Sequence, residues 1–203
     1  MHISEGVLSA PVLLGGAAVA AAGIAIGLRK VDYDRLMTVA LLSAAFFVGS
    51  LIHIPVGPVS AHLILNGLLG AVLGWAAFPA IFTALLLQAV LFQYGGLTIL
   101  GVNTATMASA AVICFAVFSP LMRREGRLRT VGAFCCGAFG VLLAGLFTAG
   151  CLAFSDEGFL QAAKLIVIAH LPVMLIEGII TALTVSFLAR SRPEILHGAL
   201  RGQ

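Results

Sequence analysis

Apolar runs about as long as a bilayer is thick alternate with short polar breaks along the whole 203-residue chain. A helix needs about 20 predominantly apolar residues to cross the hydrocarbon core. The first run, 11–28, begins with proline at a first helical position and stops at Arg29-Lys30. The second, 36–54, ends at the turn-forming Pro55-Val56-Gly57-Pro58. The third and fourth, 61–77 and 79–92, are both short, and the hairpin between them is the least sharply marked. The fifth covers 104–122, the sixth 130–154 and the seventh 159–189. Pro172 inside the last run predicts a kink or a tilted entry. The pattern predicts one domain over residues 1–203, an all-α integral membrane bundle of about seven transmembrane helices.

The polar breaks orient this bundle. Arg29, Lys30 and Arg35 follow the first run, Arg123, Arg124, Arg127 and Arg129 the fifth, and Arg190, Arg192 and Arg201 the seventh. With seven crossings these share one side, and Lys164 falls on the other with Glu5, Asp156 and Glu157. Basic residues favour the cytoplasmic side, so the C-terminus is expected in the cytoplasm and the N-terminus outside.

Composition strengthens the membrane reading. Hydrophobic residues make up 61% of the chain and charged ones 9%, with a mean hydropathy of +1.14. A soluble domain carries about 25% charged residues. The net charge of +3 therefore reports topology and not a nucleic-acid partner. Cys114, Cys135, Cys136 and Cys151 form no CxxC pair and read as small apolar residues. The opening has no basic stretch and carries Glu5, so its apolar run reads as a span and not a cleaved signal. No HExxH, GxSxG or GxxxxGK[ST] occurs. The chain has no machinery for ATP hydrolysis and is expected not to be an enzyme.

The candidate chemistry begins at the first residue. His2 is bulky enough to block methionine removal, which leaves a free amine on Met1. That amine, the His2 backbone nitrogen and His2 Nδ1 close fused five- and six-membered chelate rings around a divalent metal. Planar nitrogen ligation suits Ni(II) or Cu(II). His53 and His62 flank the turn on the same outer face, and either can supply a fourth nitrogen. Asn66 or Ser60 is placed to fix the second nitrogen of His62. The 95–103 loop, with Gly95, Gly96 and Asn103, is a candidate lid.

Within the spans, Glu177 is an acid at membrane depth and His170 lies seven residues before it. Ionisable groups there are costly and suspect as functional. The two predict either a proton-relay pair, as in a stand-alone proton-coupled divalent cation carrier, or a hydrogen-bonded pair that fixes the last span. Gly23-x-x-x-Gly27 and Gly70-x-x-x-Gly74 have the spacing of close helix packing.

Four segments carry a resemblance: MHISEGVLS, PVSAHLILNGLLGAVLG, QAVLFQYGGLTILGVNTATMA and HLPVMLIEGIITALTV. Over essentially its whole length the chain resembles the CbiM/NikM family, the substrate-binding membrane components of energy-coupling-factor transporters for cobalt and nickel. The resemblance implies Ni2+ or Co2+ as transported substrate, held by Met1, His2 and His62. It implies a transmembrane coupling protein, a pair of cytoplasmic ATPases and a small accessory membrane subunit as partners, in the cell membrane of a bacterium or archaeon. The chain departs from the family pattern at His53, where members often carry asparagine, and at Gln93-Tyr94, where many carry an aspartate.

Overall fold

The computed structural model describes Ile3, residues 5–56 and residues 59–196. Seven α-helices follow in order: α1 Ala10–Lys30, α2 Leu36–Gly49, α3 Asn66–Leu73, α4 Ala77–Phe92, α5 Leu100–Met122, α6 Arg127–Ser155 and α7 Leu160–Ser191. Strands β1 (His53–Val56) and β2 (Val59–His62) stand between α2 and α3 as an antiparallel hairpin. Single 3-10 turns join α1 to α2, α3 to α4 and α6 to α7.

By length and apolarity, Ala10–Lys30, Asn66–Phe92, Leu100–Met122, Arg127–Ser155 and Leu160–Ser191 are each long enough to cross a membrane. Contacts show that Asn66–Phe92 is folded back on itself. Leu65 lies against Gly49 at one end of α2, and Gln88 Nε2 donates to Ser50 Oγ at that same end, 2.7 Å away. At the other end of α2, Arg35 Nη2 reaches the Val72 carbonyl at 3.0 Å. So α3 runs against α2, and α4 returns alongside it. The reversal falls at Gly74, whose φ of 56° is costly for any side-chain-bearing residue.

Two expectations are corrected here. The second run stops as helix at Gly49, because β1 follows. The third run, 61–77, is the end of a strand, a short helix and a 3-10 turn. At 8 residues, α3 is about 12 Å long and cannot span a membrane alone. Among the described residues the bundle is helical apart from the β1–β2 hairpin that precedes α3. Meanwhile α7 continues as helix through Pro172.

Every residue of α3 is buried, and small residues make this possible. A Cβ on Gly67 would stand 2.4 Å from the Cys136 carbonyl oxygen of α6, and one on Gly70 would stand 2.3 Å from the Ala111 oxygen of α5. Gly23 lies under the Phe78 ring, and Gly27 lies against Trp75 and Pro79. That pair packs α1 on α4 as its spacing predicts. Gly74 turns the chain instead of packing with Gly70.

Arg29, Lys30, Arg35, Arg123, Arg124, Arg127, Arg129, Arg190 and Arg192 collect at one end of the bundle, where α1, α5 and α7 finish and α2 and α6 begin. Arg201 lies outside the described residues. The N-terminal segment is at the opposite end, where Ser9 N donates to Ser155 Oγ, the last residue of α6.

Candidate metal centre

His62 closes β2, opposite His53 in the hairpin register. The side chains of His53 and Ser60 lie outside the described part of the structure. His62 Nδ1 is 2.9 Å from the Leu63 carbonyl oxygen. A carbonyl only accepts, so Nδ1 carries the proton and Nε2 carries the lone pair. Burial holds this imidazole below the usual histidine range, which favours the neutral, metal-binding form.

The oxygen that orients His62 is therefore its neighbour's carbonyl, and not Asn66 as the spacing predicts. Asn66 is fully buried and committed elsewhere. Its Nδ2 donates to the Met107 oxygen at 3.2 Å and the Gly140 oxygen at 3.0 Å. Its Oδ1 accepts from Gly67 N at 2.9 Å. One side chain thus ties the start of α3 to α5 and α6.

Glu177 is fully buried on α7. Its Oε1 and Oε2 each accept from Leu65 N at 2.8 Å, and Oε1 also accepts from Ile64 N. His170 Nδ1 donates to the Ile166 carbonyl one turn back, at 2.8 Å. The expected His170–Glu177 pair does not form. The His170 Nε2 is buried without a hydrogen-bond partner among the described residues.

Met1 and His2 lie outside the described residues. Next in sequence, Ile3 is buried in a cluster with Leu8, Ile99, Val102 and Leu152. Asn103 grips its backbone from both sides: Ile3 N donates to Asn103 Oδ1 at 3.3 Å, and Asn103 Nδ2 donates to the Ile3 oxygen at 3.4 Å. Asn103 belongs to α5, so it is no part of a loop. Glu5 Oε1 accepts from Thr98 N and Thr98 Oγ1, both at 3.0 Å. These bonds hold its carboxyl below the usual range. Gly96, at φ 132°, lets the loop close on Glu5, where a Cβ would collide with the side chain. Gly95 and Gly96 thus belong to a loop clasped to the N-terminal segment. Sequence reasoning missed the bonds of Glu5 and the backbone grip of Asn103, since no spacing announces a contact across 93 or 100 residues.

Among the described residues no three His, Cys, Asp or Glu side chains gather as a metal site would need. The described residues supply one oriented imidazole and one anchored N-terminal segment. The family described as cobalt uptake substrate-specific transmembrane region, CbiM, matches residues 2–195. The chain belongs to the CbiM family. A Haemophilus influenzae protein, provisionally named a metal transport protein, is 44% identical over 203 residues, with 97% of each chain aligned. The Sorangium cellulosum cobalt transport protein CbiM is 33% identical over 212 residues, covering 97% of this chain and 94% of its own. The Rhodobacter capsulatus fused nickel transport protein NikMN is 31% identical over 221 residues, covering 97% of this chain and 64% of that longer protein. A crystal structure of a truncated transition metal transporter superposes with a TM-score of 0.81 at 27% identity, over 94% of this chain and 99% of that one. This CbiM chain is accordingly a multi-pass membrane protein whose relatives carry transport names.

Proposed function

We propose that the chain is the substrate-capture component of an energy-coupling-factor transporter that takes up Ni2+ or Co2+. The Met1 amine, His2 N and His2 Nδ1 supply three nitrogens of a plane, and His62 Nε2 closes it. One observation carries the reading: the residue after His2 is pinned in the interior by both polar atoms of Asn103. Residues 1–2 then start from a fixed, buried anchor, as a chelating N-terminus requires. The His62 tautomer, with its lone pair on Nε2, supports the same reading.

The arginine-rich end faces the cytoplasm in this proposal, and the N-terminal end faces outward. Without a nucleotide-binding motif of its own, the chain works with a coupling protein, an ATPase pair and a small accessory membrane subunit. Nothing favours the carrier reading built on His170 and Glu177, which point to different partners.

The test is metal content and visible absorption of protein purified with an untagged N-terminus. One nickel per chain with a yellow band at roughly 400–450 nm is expected for planar nitrogen ligation. His62→Ala removes the band and His53→Ala keeps it. Because the ligands must shed protons to bind, nickel is released on acidification. A tetrahedral or octahedral cobalt spectrum, or a nickel band that survives His62→Ala, overturns the proposal.

A further inference from the structure

The start of α3 poses a problem that the chain solves from far away. The first turn of a helix leaves backbone N–H groups without intrahelical partners, and no water is at hand at membrane depth. The usual answer is a serine, threonine, aspartate or asparagine at the N-cap. Here the N-cap is Leu65, apolar, left-handed at φ 55° and with no side-chain cap of its own. Glu177 supplies the acceptor from α7, 112 residues along the chain. A carboxyl oxygen there also meets the positive end of the helix dipole.

What makes this more than a cap is which amide is held. Ile64 N–H belongs to the same planar peptide group as the Leu63 carbonyl. That carbonyl is the acceptor for His62 Nδ1, while the N–H is bound by Glu177. Carboxyl, peptide and imidazole therefore form one hydrogen-bonded relay, Glu177 to Ile64 N–H, Leu63 C=O to His62 Nδ1–H. Bonds in such a chain polarise one another. Metal-bound histidines commonly pass their second N–H to a carboxylate directly, and loss of that partner typically lowers metal affinity 10- to 100-fold. We propose that Glu177 is a positioning residue of the metal centre, acting on His62 through the Leu63–Ile64 peptide. This rests on His62 as a metal ligand, the reading of the previous section.

The experiment compares equilibrium Ni(II) binding of untagged wild-type, Glu177→Gln and His62→Ala proteins in detergent. It is paired with 15N NMR of histidine-labelled, metal-free protein to read the His62 tautomer. Glutamine keeps the shape and one acceptor oxygen but sets an amide donor against Leu65 N–H. We expect Glu177→Gln to bind nickel about 10-fold more weakly and to mix the two tautomers, at an unchanged elution profile. A merely structural role would lower the melting temperature and leave the tautomer alone. Wild-type affinity and tautomer in Glu177→Gln, with binding lost in His62→Ala, overturn the relay and leave the metal site standing. Nickel binding intact in His62→Ala overturns the site itself. Should Glu177→Gln not fold, the wild-type spectrum decides: an Nε2-protonated His62 in the metal-free protein excludes the relay.

Discussion

The two sides of the candidate metal centre are held in opposite ways. The His62 side is built from the middle of the bundle. Asn66 ties the head of α3 to α5 and α6, Glu177 caps it from α7, and glycines let backbones touch. The N-terminal side is held by fewer bonds, the buried grip of Asn103 on Ile3 and the exposed clasp of Thr98 on Glu5. This arrangement fixes the imidazole from the middle of the bundle, while the N-terminal segment is anchored separately at Ile3 and Glu5. Preorganising ligand groups lowers the ordering cost of binding.

The strongest way to break this asymmetry is to add one residue between Met1 and His2. The fused rings cannot then close, and nickel binding should vanish in titration calorimetry while the melting temperature stays put. Next is Gly67→Ala on the rigid side, where the new Cβ would meet the Cys136 oxygen at 2.4 Å. Overpacking of this kind costs about 1–3 kcal/mol, and more where backbone faces backbone. A lower melting temperature in detergent should accompany it, since α3 has nowhere to move. Asn103→Ala should act on the tethered side alone. Leaving buried backbone groups without partners costs about 1–3 kcal/mol, so capture should weaken about 10- to 100-fold, read by the same calorimetry.

The smallest effect belongs to the exposed clasp. Thr98→Ala should change nickel affinity less than about threefold. Its pH behaviour separates it from metal release. The folded carboxyl of Glu5 sits below the ordinary glutamate value, held there by its bonds from Thr98. The unfolded state therefore binds the proton more readily, and the clasp contributes fully above that value and is lost as pH falls through the folded one. Metal should leave as falling pH protonates its nitrogen ligands, with the clasp still closed. Limited proteolysis of the N-terminal segment checks this: cleavage that rises together with nickel release breaks the expected order.

Much of the architecture was legible in the spacing of apolar runs, because span length and positive breaks are global properties. The third pass was not. Its strand Val59–His62 and its helix Asn66–Leu73 are both apolar and continuous, and hydropathy cannot tell a strand from a half-helix when both lie inside protein. Gly74 was open to two readings, packing or turn, and only its φ decides. The polar residues were found but mis-paired. Glu177 and His170 share a face by spacing, yet Glu177 bonds to main-chain amides, which every residue except proline possesses and which leave no mark in a sequence. Asn66 was read as a partner of the nearest histidine, while its buried amide had to satisfy carbonyls of two other helices.

Trp75 gives one further consequence. It is the chain's one tryptophan, set in the 3-10 turn at the foot of α3. Its ring stacks on Phe78 at 6.0 Å, and the Lys30 ammonium stands 5.7 Å from its centroid. A nearby cation shifts indole emission, so a small change in the gap between α1 and that turn alters the colour of the light. The molecule thus carries an optical gauge at the far end of the same short helix whose head is tied to His62. Its spectrum on loading with nickel tells whether the ion's arrival is felt at the arginine-rich face.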